Sequence, residues 1–150
     1  MTDIEPEGVV REYTAAKERR DLDAMAELLD PNVMSYDPSF PEPVRGREAC
    51  RKASEILAQV PDLRIGILTL LSNGDAVAGE FMTTFTMPPT GRRIELRYAK
   101  FFRVNSKGLI AEEREYSDSA EKERQLGQDA YNAFLSQVDG SPRAGSPARQ

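Results

Sequence analysis

Histidine is absent from the 150-residue sequence, and this absence excludes more chemistry than any other feature of the composition. Without histidine the chain has no Ser-His-Asp or Cys-His hydrolase site, no HExxH motif and no histidine-ligated zinc site. Any acid-base chemistry must therefore use carboxylates, tyrosine, lysine or cysteine.

Cysteine and nucleotide-binding motifs are nearly as scarce. The single cysteine, Cys50, excludes an intrachain disulfide, and its place in an amphipathic helical pattern indicates a small buried hydrophobic residue rather than a nucleophile. Neither a GxGxxG turn nor a GxxxxGK[ST] loop is present, so nothing in the sequence predicts a nucleotide. We expect no cofactor and no metal.

Long apolar runs and dense basic runs are also missing. No apolar run reaches about 18 residues and no charged-then-apolar leader opens the sequence, so we expect a soluble, cytoplasmic protein that has no export signal and does not bind membranes. The net charge of -5 and the pI near 4.9 argue against nucleic acid as a partner.

The residues that are present suit one compact domain. The chain is 39% hydrophobic and 30% charged, which is enough for a single core at this length. We predict one domain over 1–138 and a disordered tail over 139–150, where Gly, Ser, Pro and Arg dominate.

Hydrophobic periodicity predicts an α+β fold. A period near 3.6 indicates helices over about 5–19, 22–29 and 47–60, and a further helix that includes 126–138 with Gly127 as its weak point. Period-two patterns indicate strands over 33–36, 63–71, 76–87, 94–104 and 109–117. The short Gly-, Asn- and Pro-containing separators of the last four strands favour hairpins, so we expect a curved antiparallel sheet that encloses the helices.

Asp118, where the last predicted strand meets a helix, has two interpretations. Alternation puts Ile110, Glu112, Arg114, Tyr116 and Asp118 on one face and Leu109, Ala111, Glu113, Glu115 and Ser117 on the other. The first face is either exposed to water or lines a polar pocket. Asp118 is then either a general acid or base, or the N-cap of a helix whose third residue is Glu121.

Lys100 interrupts the apolar face of its predicted strand. Lysine is almost never buried without a partner, so Lys100 either meets a carboxylate such as Asp37, Glu112 or Asp118, or lines a cavity. The alternative is that its side chain extends to the edge of the sheet.

Several pieces of the sequence together resemble the SnoaL-like polyketide cyclases. The pieces are VVREYTAAKERRDLDAMAELLDPNVMSYDP, VRGREACRK, PDLRIGI and FFRVNSKGLIAEEREYSD followed by QLG. The resemblance covers roughly 9–128. This family is part of the nuclear-transport-factor-like superfamily, together with ketosteroid isomerases and limonene epoxide hydrolases.

The resemblance implies a cone-shaped α+β barrel, usually a homodimer, with a deep apolar pocket and cofactor-free chemistry on an enolisable carbonyl compound. The aspartate of the cyclases' Tyr-x-Asp pattern matches Asp118. Tyr13 matches an oxyanion-donating tyrosine of the isomerases, and Asp37 matches their proton-shuttling aspartate. Lys100 stands where the isomerases carry a second oxyanion donor, which argues against steroid isomerisation. The strand GEFMTTFT lacks the Arg-x-Asp pair of the epoxide hydrolases, which argues against epoxide opening.

Our hypothesis is therefore proton transfer at a carbon next to a carbonyl, followed by ring closure or isomerisation. Asp118 or Asp37 is the base, and Lys100, Arg114 or the Tyr13 hydroxyl stabilises the oxyanion. The small hydrophobic carbonyl substrate contacts aromatic side chains that otherwise belong to the core: Phe81, Phe85, Tyr98, Phe102 and Tyr116.

Each site residue also has a structural alternative. Tyr13 can anchor the first helix, Asp37 can stabilise the turn before Pro38, and Arg114 can pair with a carboxylate. The rival function is a non-catalytic dimeric module that binds a hydrophobic ligand. Convergence of Asp118, Asp37 and Lys100 on one cavity favours the enzyme.

Overall fold

The computed structural model describes residues 5–88 and 90–139. Its helices are α1 (Pro6–Glu18), α2 (Leu22–Glu27), α3 (Arg47–Ala53), a 3₁₀ helix (Ser54–Gln59), α4 (Ser119–Leu126) and α5 (Gln128–Asp139). Its strands are β1 (Leu29–Tyr36), β2 (Val44–Arg45), β3 (Arg64–Asn73), β4 (Ala76–Thr86), β5 (Arg93–Val104) and β6 (Ile110–Tyr116). The predicted tail lies outside the described residues, apart from Asp139 at the end of α5.

The six strands form one curved, unclosed sheet in the order β2-β1-β6-β5-β4-β3. The strands β3 to β6 form an antiparallel meander, as their hairpin turns predict. The first strand departs from this pattern, because β1 runs parallel to β6. The predicted α+β class is confirmed, with a mixed sheet rather than a purely antiparallel one.

Three predicted helix bounds need correction. The second helix ends at Glu27, and Leu29 already belongs to β1. The third helix changes to 3₁₀ geometry at Ser54 and ends at Gln59; Val60 is extended, because Pro61 disfavours helical backbone at the residue before it. The last helix is divided at Gly127, whose φ of 82° lies in the region that favours glycine.

A β-bulge in β6 decides which side chains face the helices. Val104 of β5 pairs with Ile110 and Arg103 pairs with Glu112, so Ala111 is an extra residue between them. An extra residue reverses the alternation, and Ile110 and Glu113 are therefore both buried on the inner face. The predicted grouping of Ile110 with Arg114 and Tyr116 is wrong for this reason.

The main core packs α1 against the inner face of the sheet. Phe102 lies edge-on to Tyr13 and to Phe81, with ring centroids 6.1 and 6.2 Å apart. Phe81 is 1% exposed, and burying a side chain of this size stabilises the fold by roughly 1.5–3 kcal/mol. Gly79 permits this packing, because a Cβ there would lie 2.8 Å from both Phe81 Cε2 and Leu70 Cδ1.

A second core cluster lies at the other end of the sheet, where α4 and α5 cover β5. It consists of Ile94, Leu126, Tyr131 and Leu135, all buried. None of the described helices has both the length and the apolar character required to cross a membrane.

Candidate functional site

A cavity of about 550 Å³ lies between the inner face of the sheet and the helices. Both core clusters contribute to its walls, through Cys50 on one side and Leu126 and Tyr131 on the other. Much of its surface is apolar and comes from Ile56, Leu57, Val60, Leu63, Phe85, Met87 and Leu96. One wall is different, because it carries charged side chains.

The charged wall begins at neighbouring inward positions of β5 and β6. Lys100 pairs in register with Glu115, and its ammonium nitrogen lies 3.7 Å from Glu115 Oε2 and 3.3 Å from Glu113 Oε2. The three side chains are between 7% and 15% exposed. Ion pairs this deeply buried need several partners to offset the loss of hydration.

Lys122 of α4 extends the row of charges to the end of β1. Its ammonium nitrogen lies 2.9 Å from Glu115 Oε1 and 3.7 Å from Asp37 Oδ1. The resulting alternating row runs Asp37, Lys122, Glu115, Lys100, Glu113. Burial opposes the charge on Lys122, but Glu115 and Asp37 outweigh it and raise its pKa.

Two hydroxyl groups complete the environment of Glu113. The Tyr13 hydroxyl donates to its two carboxylate oxygens at 3.1 and 3.2 Å, and the Ser35 hydroxyl donates to Oε1 at 2.8 Å. Burial alone would raise the pKa of Glu113, but Lys100, Lys17 and Ser35 outweigh it and lower the pKa to about 2. Glu113 is therefore an ionised anchor at neutral pH.

Lys17 of α1 also lines the cavity, and its environment differs from that of the other lysines there. Its ammonium nitrogen lies 5.3 Å from the centroid of the Tyr13 ring and forms no hydrogen bond or ion pair with any residue that the structure describes. Burial and the nearby charge of Lys100 lower the pKa of Lys17 to about 8. The pKa of Lys100 is raised instead, because Glu113 and Glu115 outweigh the effect of burial.

The structure brings together three of the five predicted catalytic residues. Lys100 faces the cavity, but its partners are Glu113 and Glu115 rather than Asp37, Glu112 or Asp118, and its burial rules out an extended position at the sheet edge. The Tyr13 hydroxyl is buried beside Glu113. Asp37 lines the cavity, and its Oδ1 accepts a 2.8 Å hydrogen bond from the Ser39 amide in a turn, as its structural alternative predicts; its catalytic role stays a prediction.

Three other predicted site residues lie outside the cavity walls. Asp118 is exposed and accepts a 3.1 Å hydrogen bond from the Glu121 amide, as an N-cap does. Arg114 lies 3.1 Å from Glu112, on the outer face of the sheet. Tyr116 is 56% exposed. The catalytic roles of Asp118 and Arg114 stay predictions that this geometry does not support.

The predicted aromatic residues divide between the cavity and the core. Phe85 and Tyr98 line the cavity, and the Tyr98 hydroxyl lies 2.7 Å from Thr83 Oγ1. Phe81 and Phe102 belong to the main core around Tyr13.

Sequence reasoning missed four charged residues of the cavity: Lys17, Glu113, Glu115 and Lys122. The alternation of the strand placed Glu113 and Glu115 together on the face opposite Arg114. Because Lys100 required a carboxylate partner, these two residues were recognisable as candidates. No comparable signal marked Lys17 or Lys122, which lie on helices. Among residues 5–88 and 90–139, no group of three or more Cys, Asp or Glu side chains is suited to hold a metal ion.

Comparison with known proteins identifies relatives of this fold. The sequence profile of the SnoaL-like domain matches residues 10–113. IdmH from Streptomyces antibioticus, a proposed polyketide cyclase, is 27% identical, with a TM-score of 0.69 over 82% of this chain and 99% of that chain. No curated protein matches the sequence.

Two more distant structures share the fold. SalBIII, an epoxide hydrolase/cyclase-like enzyme in pyran ring formation in salinomycin, is 22% identical, with a TM-score of 0.70 over 77% of this chain and 92% of that chain. Rv0760c from Mycobacterium tuberculosis, solved in complex with estradiol-17β-hemisuccinate, is 19% identical, with a TM-score of 0.67 over 77% of this chain and 96% of that chain.

Proposed function

Because the chain belongs to the SnoaL-like family, we propose that it is a polyketide cyclase or related isomerase that performs cofactor-free acid-base chemistry on a hydrophobic, enolisable carbonyl compound. One observation carries this proposal: a largely apolar cavity has a single wall of buried, alternating carboxylates and lysines. An apolar substrate fills the cavity, and its carbonyl group is directed to the charged wall by the polar groups there.

Asp37 is the base in this proposal. Its Oδ1 is held by the Ser39 amide and Lys122, whereas its Oδ2 has no hydrogen-bond partner among the described residues. The side chain is 26% exposed, so a proton that it removes can pass on to solvent. Glu113 is less suitable, since its pKa near 2 makes it a weak base.

The lysines of the wall stabilise the charge that develops on the substrate oxygen. Removing a proton next to a carbonyl creates an enolate, which needs a fixed donor or cation at its oxygen. Lys100 and Lys122 are held in place by their carboxylate partners and line the same cavity as Asp37. Ring closure by an aldol step, or isomerisation, then follows from the same enolate.

Deuterium exchange tests the proposal without knowledge of the natural substrate. We would follow the protons next to the carbonyl of 2-tetralone, a flat enolisable ketone, by NMR in D₂O. We expect the protein to accelerate exchange. The Asp37→Asn variant should lower the catalysed exchange rate by about 10²–10⁴-fold. The matched variant Asp118→Asn should keep the rate. Loss of exchange in Asp118→Asn alone would instead support the family-derived assignment of Asp118.

A non-catalytic ligand-binding module is the second candidate. The observation that favours it is the complete pairing of Glu113 and Glu115, which gives the charged wall a structural purpose of its own. Rv0760c, which shares the fold, was solved in complex with a steroid derivative, estradiol-17β-hemisuccinate. Binding of 2-tetralone by calorimetry with no acceleration of exchange would support this function and overturn the enzyme.

The homodimer implied by the resemblance is part of the proposal. The outer face of the sheet exposes large apolar side chains, including Leu71, Phe101 and Tyr116, which a second copy would cover. Light scattering should give twice the chain mass, and Phe101→Glu should shift it toward the monomer. A monomeric wild type would overturn this assignment. By analogy with IdmH and SalBIII, we propose that the reaction belongs to polyketide antibiotic biosynthesis.

A further inference from the structure

Lys17 has the surroundings of a reactive amine rather than of a structural cation. The other two lysines of the cavity, Lys100 and Lys122, each lie within 4 Å of two carboxylates. Lys17 is half-buried against the same cavity and has only the face of the Tyr13 ring as a close partner among the described residues. A lysine that is desolvated and lies near a second cation is a recognised kind of nucleophile.

We propose that Lys17 forms an imine with the carbonyl group of a hydrophobic ligand bound in the cavity. The neutral amine adds to the carbonyl carbon, the two amine protons leave with the carbonyl oxygen as water, and a C=N bond remains. No oxidant or reductant is required. This inference deepens the function proposed above, because it rests on a carbonyl ligand and names a covalent step for it.

The charge balance of the cavity is consistent with this step. Among the residues that the structure describes, three acidic groups line the cavity (Asp37, Glu113 and Glu115), and so do three basic groups (Lys17, Lys100 and Lys122). A protonated imine carries the same positive charge as the ammonium group that it replaces, so imine formation leaves this balance unchanged. A permanently anionic ligand would disturb it and would meet the buried carboxylate of Glu113.

The reactive form of Lys17 is accessible near neutral pH. The titratable and charged groups near Lys17 include Tyr13 on α1, Cys50 on α3, Tyr98 and Lys100 on β5, and Glu113 and Glu115 on β6. Burial and Lys100 outweigh the carboxylates, so the pKa of Lys17 is about 8. At pH 7 its neutral fraction then exceeds that of an exposed lysine by roughly two orders of magnitude.

Reductive trapping tests the proposal. The full chain is incubated at pH 7 with 1-naphthaldehyde and sodium cyanoborohydride, and adducts are located by intact mass and peptide mapping. This aldehyde has no hydrogen on the carbon next to its carbonyl, so the test does not need the chemistry assigned to Asp37. We expect adduct at Lys17 about tenfold or more above that at the exposed residues Lys52 and Lys107.

Two variants of Lys17 and one matched control make the result decisive. Lys17→Met and Lys17→Arg should lose the dominant adduct, and Lys17→Arg keeps the positive charge if Lys17→Met fails to fold. Lys107→Met, which changes an exposed lysine, should keep it. In the wild type the labelling rate should be half-maximal near pH 8 rather than near 10.5, the ordinary lysine value.

Adduct spread evenly over the lysines, or a dominant adduct unchanged in Lys17→Arg, would overturn the imine. The two experiments distinguish failure of the imine proposal from failure of the proposed acid-base function. Exchange of 2-tetralone that depends on Asp37, without trapping at Lys17, supports the acid-base proposal and removes the imine. Trapping at Lys17 without any exchange supports the imine and removes the acid-base proposal.

Discussion

Glu113 and Glu115 alternate along one strand with Arg114 and Tyr116, yet the two pairs lie in opposite environments. The first pair is 7% and 15% exposed and forms the wall of the cavity, with lysines within 4 Å. Arg114 is 43% exposed, and Tyr116 lies edge-on to Phe101 on the outer face. Ion pairs occur on both faces, so residue type alone does not identify the site. Burial distinguishes the two faces, and the bulge at Ala111 decides which pair is buried.

The largest difference between the faces should appear when one carboxylate is removed from each. Glu113→Ala leaves Lys100 buried without its closest carboxylate and should lower the free energy of unfolding by about 3–5 kcal/mol. Glu112→Ala, on the outer face, breaks only the half-exposed pair with Arg114 and should cost within about 1 kcal/mol. Urea unfolding at neutral pH measures both values.

A double variant sharpens the same comparison. Glu113→Leu combined with Lys100→Met replaces both charges by apolar groups, and such replacements often restore stability. We expect the double variant to be more stable than Glu113→Ala. Equal losses for Glu113→Ala and Glu112→Ala would mean that burial does not separate the two faces energetically.

Acid should lower the free energy of unfolding by less than Glu113→Ala does, because protonation leaves the side chain of Glu113 in place. The folded pKa of Glu113 is about 2, below the ordinary value of 4.5. Its contribution to stability is therefore complete above about pH 4.5 and declines as the pH falls toward 2. Unfolding midpoints at pH 7, 5, 4 and 3 would reveal this decline, which Glu113→Gln should reduce. An identical acid profile in Glu113→Gln would contradict it.

The smallest effect is expected at Asp118, just beyond the end of β6. Asp118→Ala removes the hydrogen bond to the Glu121 amide and should lower the free energy of unfolding by about 1 kcal/mol. Asp118→Asn preserves an N-cap acceptor and should lose less. A thermal or urea transition measures both. A loss as large as that of Glu113→Ala would indicate that Asp118 has a role beyond capping.

Regular periodicity predicted most of the fold, and irregular backbone accounts for most of the errors. Strands β3 to β6 occur within two residues of their predicted bounds, because their alternation is strong and their turns are explicit. The two-residue strand β2 is too short to produce a pattern. The single extra residue Ala111 has no distinctive sequence signal. It nevertheless shifts the alternation of β6, so that Glu113 rather than Arg114 shares the inner face with Ile110.

A residue of the candidate site was predictable from the sequence where its polarity did not fit the pattern of its neighbours. Lys100 interrupts an apolar face, and this conflict correctly indicated a buried partner or a cavity. The turn role of Asp37 was recognisable from its place before Pro38, whereas its catalytic role comes from the family resemblance and stays a prediction. Lys122 and Lys17 lie on helices that carry many charges, where a lysine conflicts with nothing. Only the tertiary arrangement shows that both residues line the same cavity.

The equal numbers of carboxylates and ammonium groups in the cavity have a consequence for how fast ligands arrive. Five of the six charged groups lie less than 4 Å from an opposite charge, and with Lys17 the described groups sum to zero, so the cavity produces little electric field in the solvent. Electrostatic steering therefore adds little to the capture of an uncharged ligand. Its association rate should stay nearly constant as salt is added, and the rate of ligand escape should then account for most differences in affinity between related ligands.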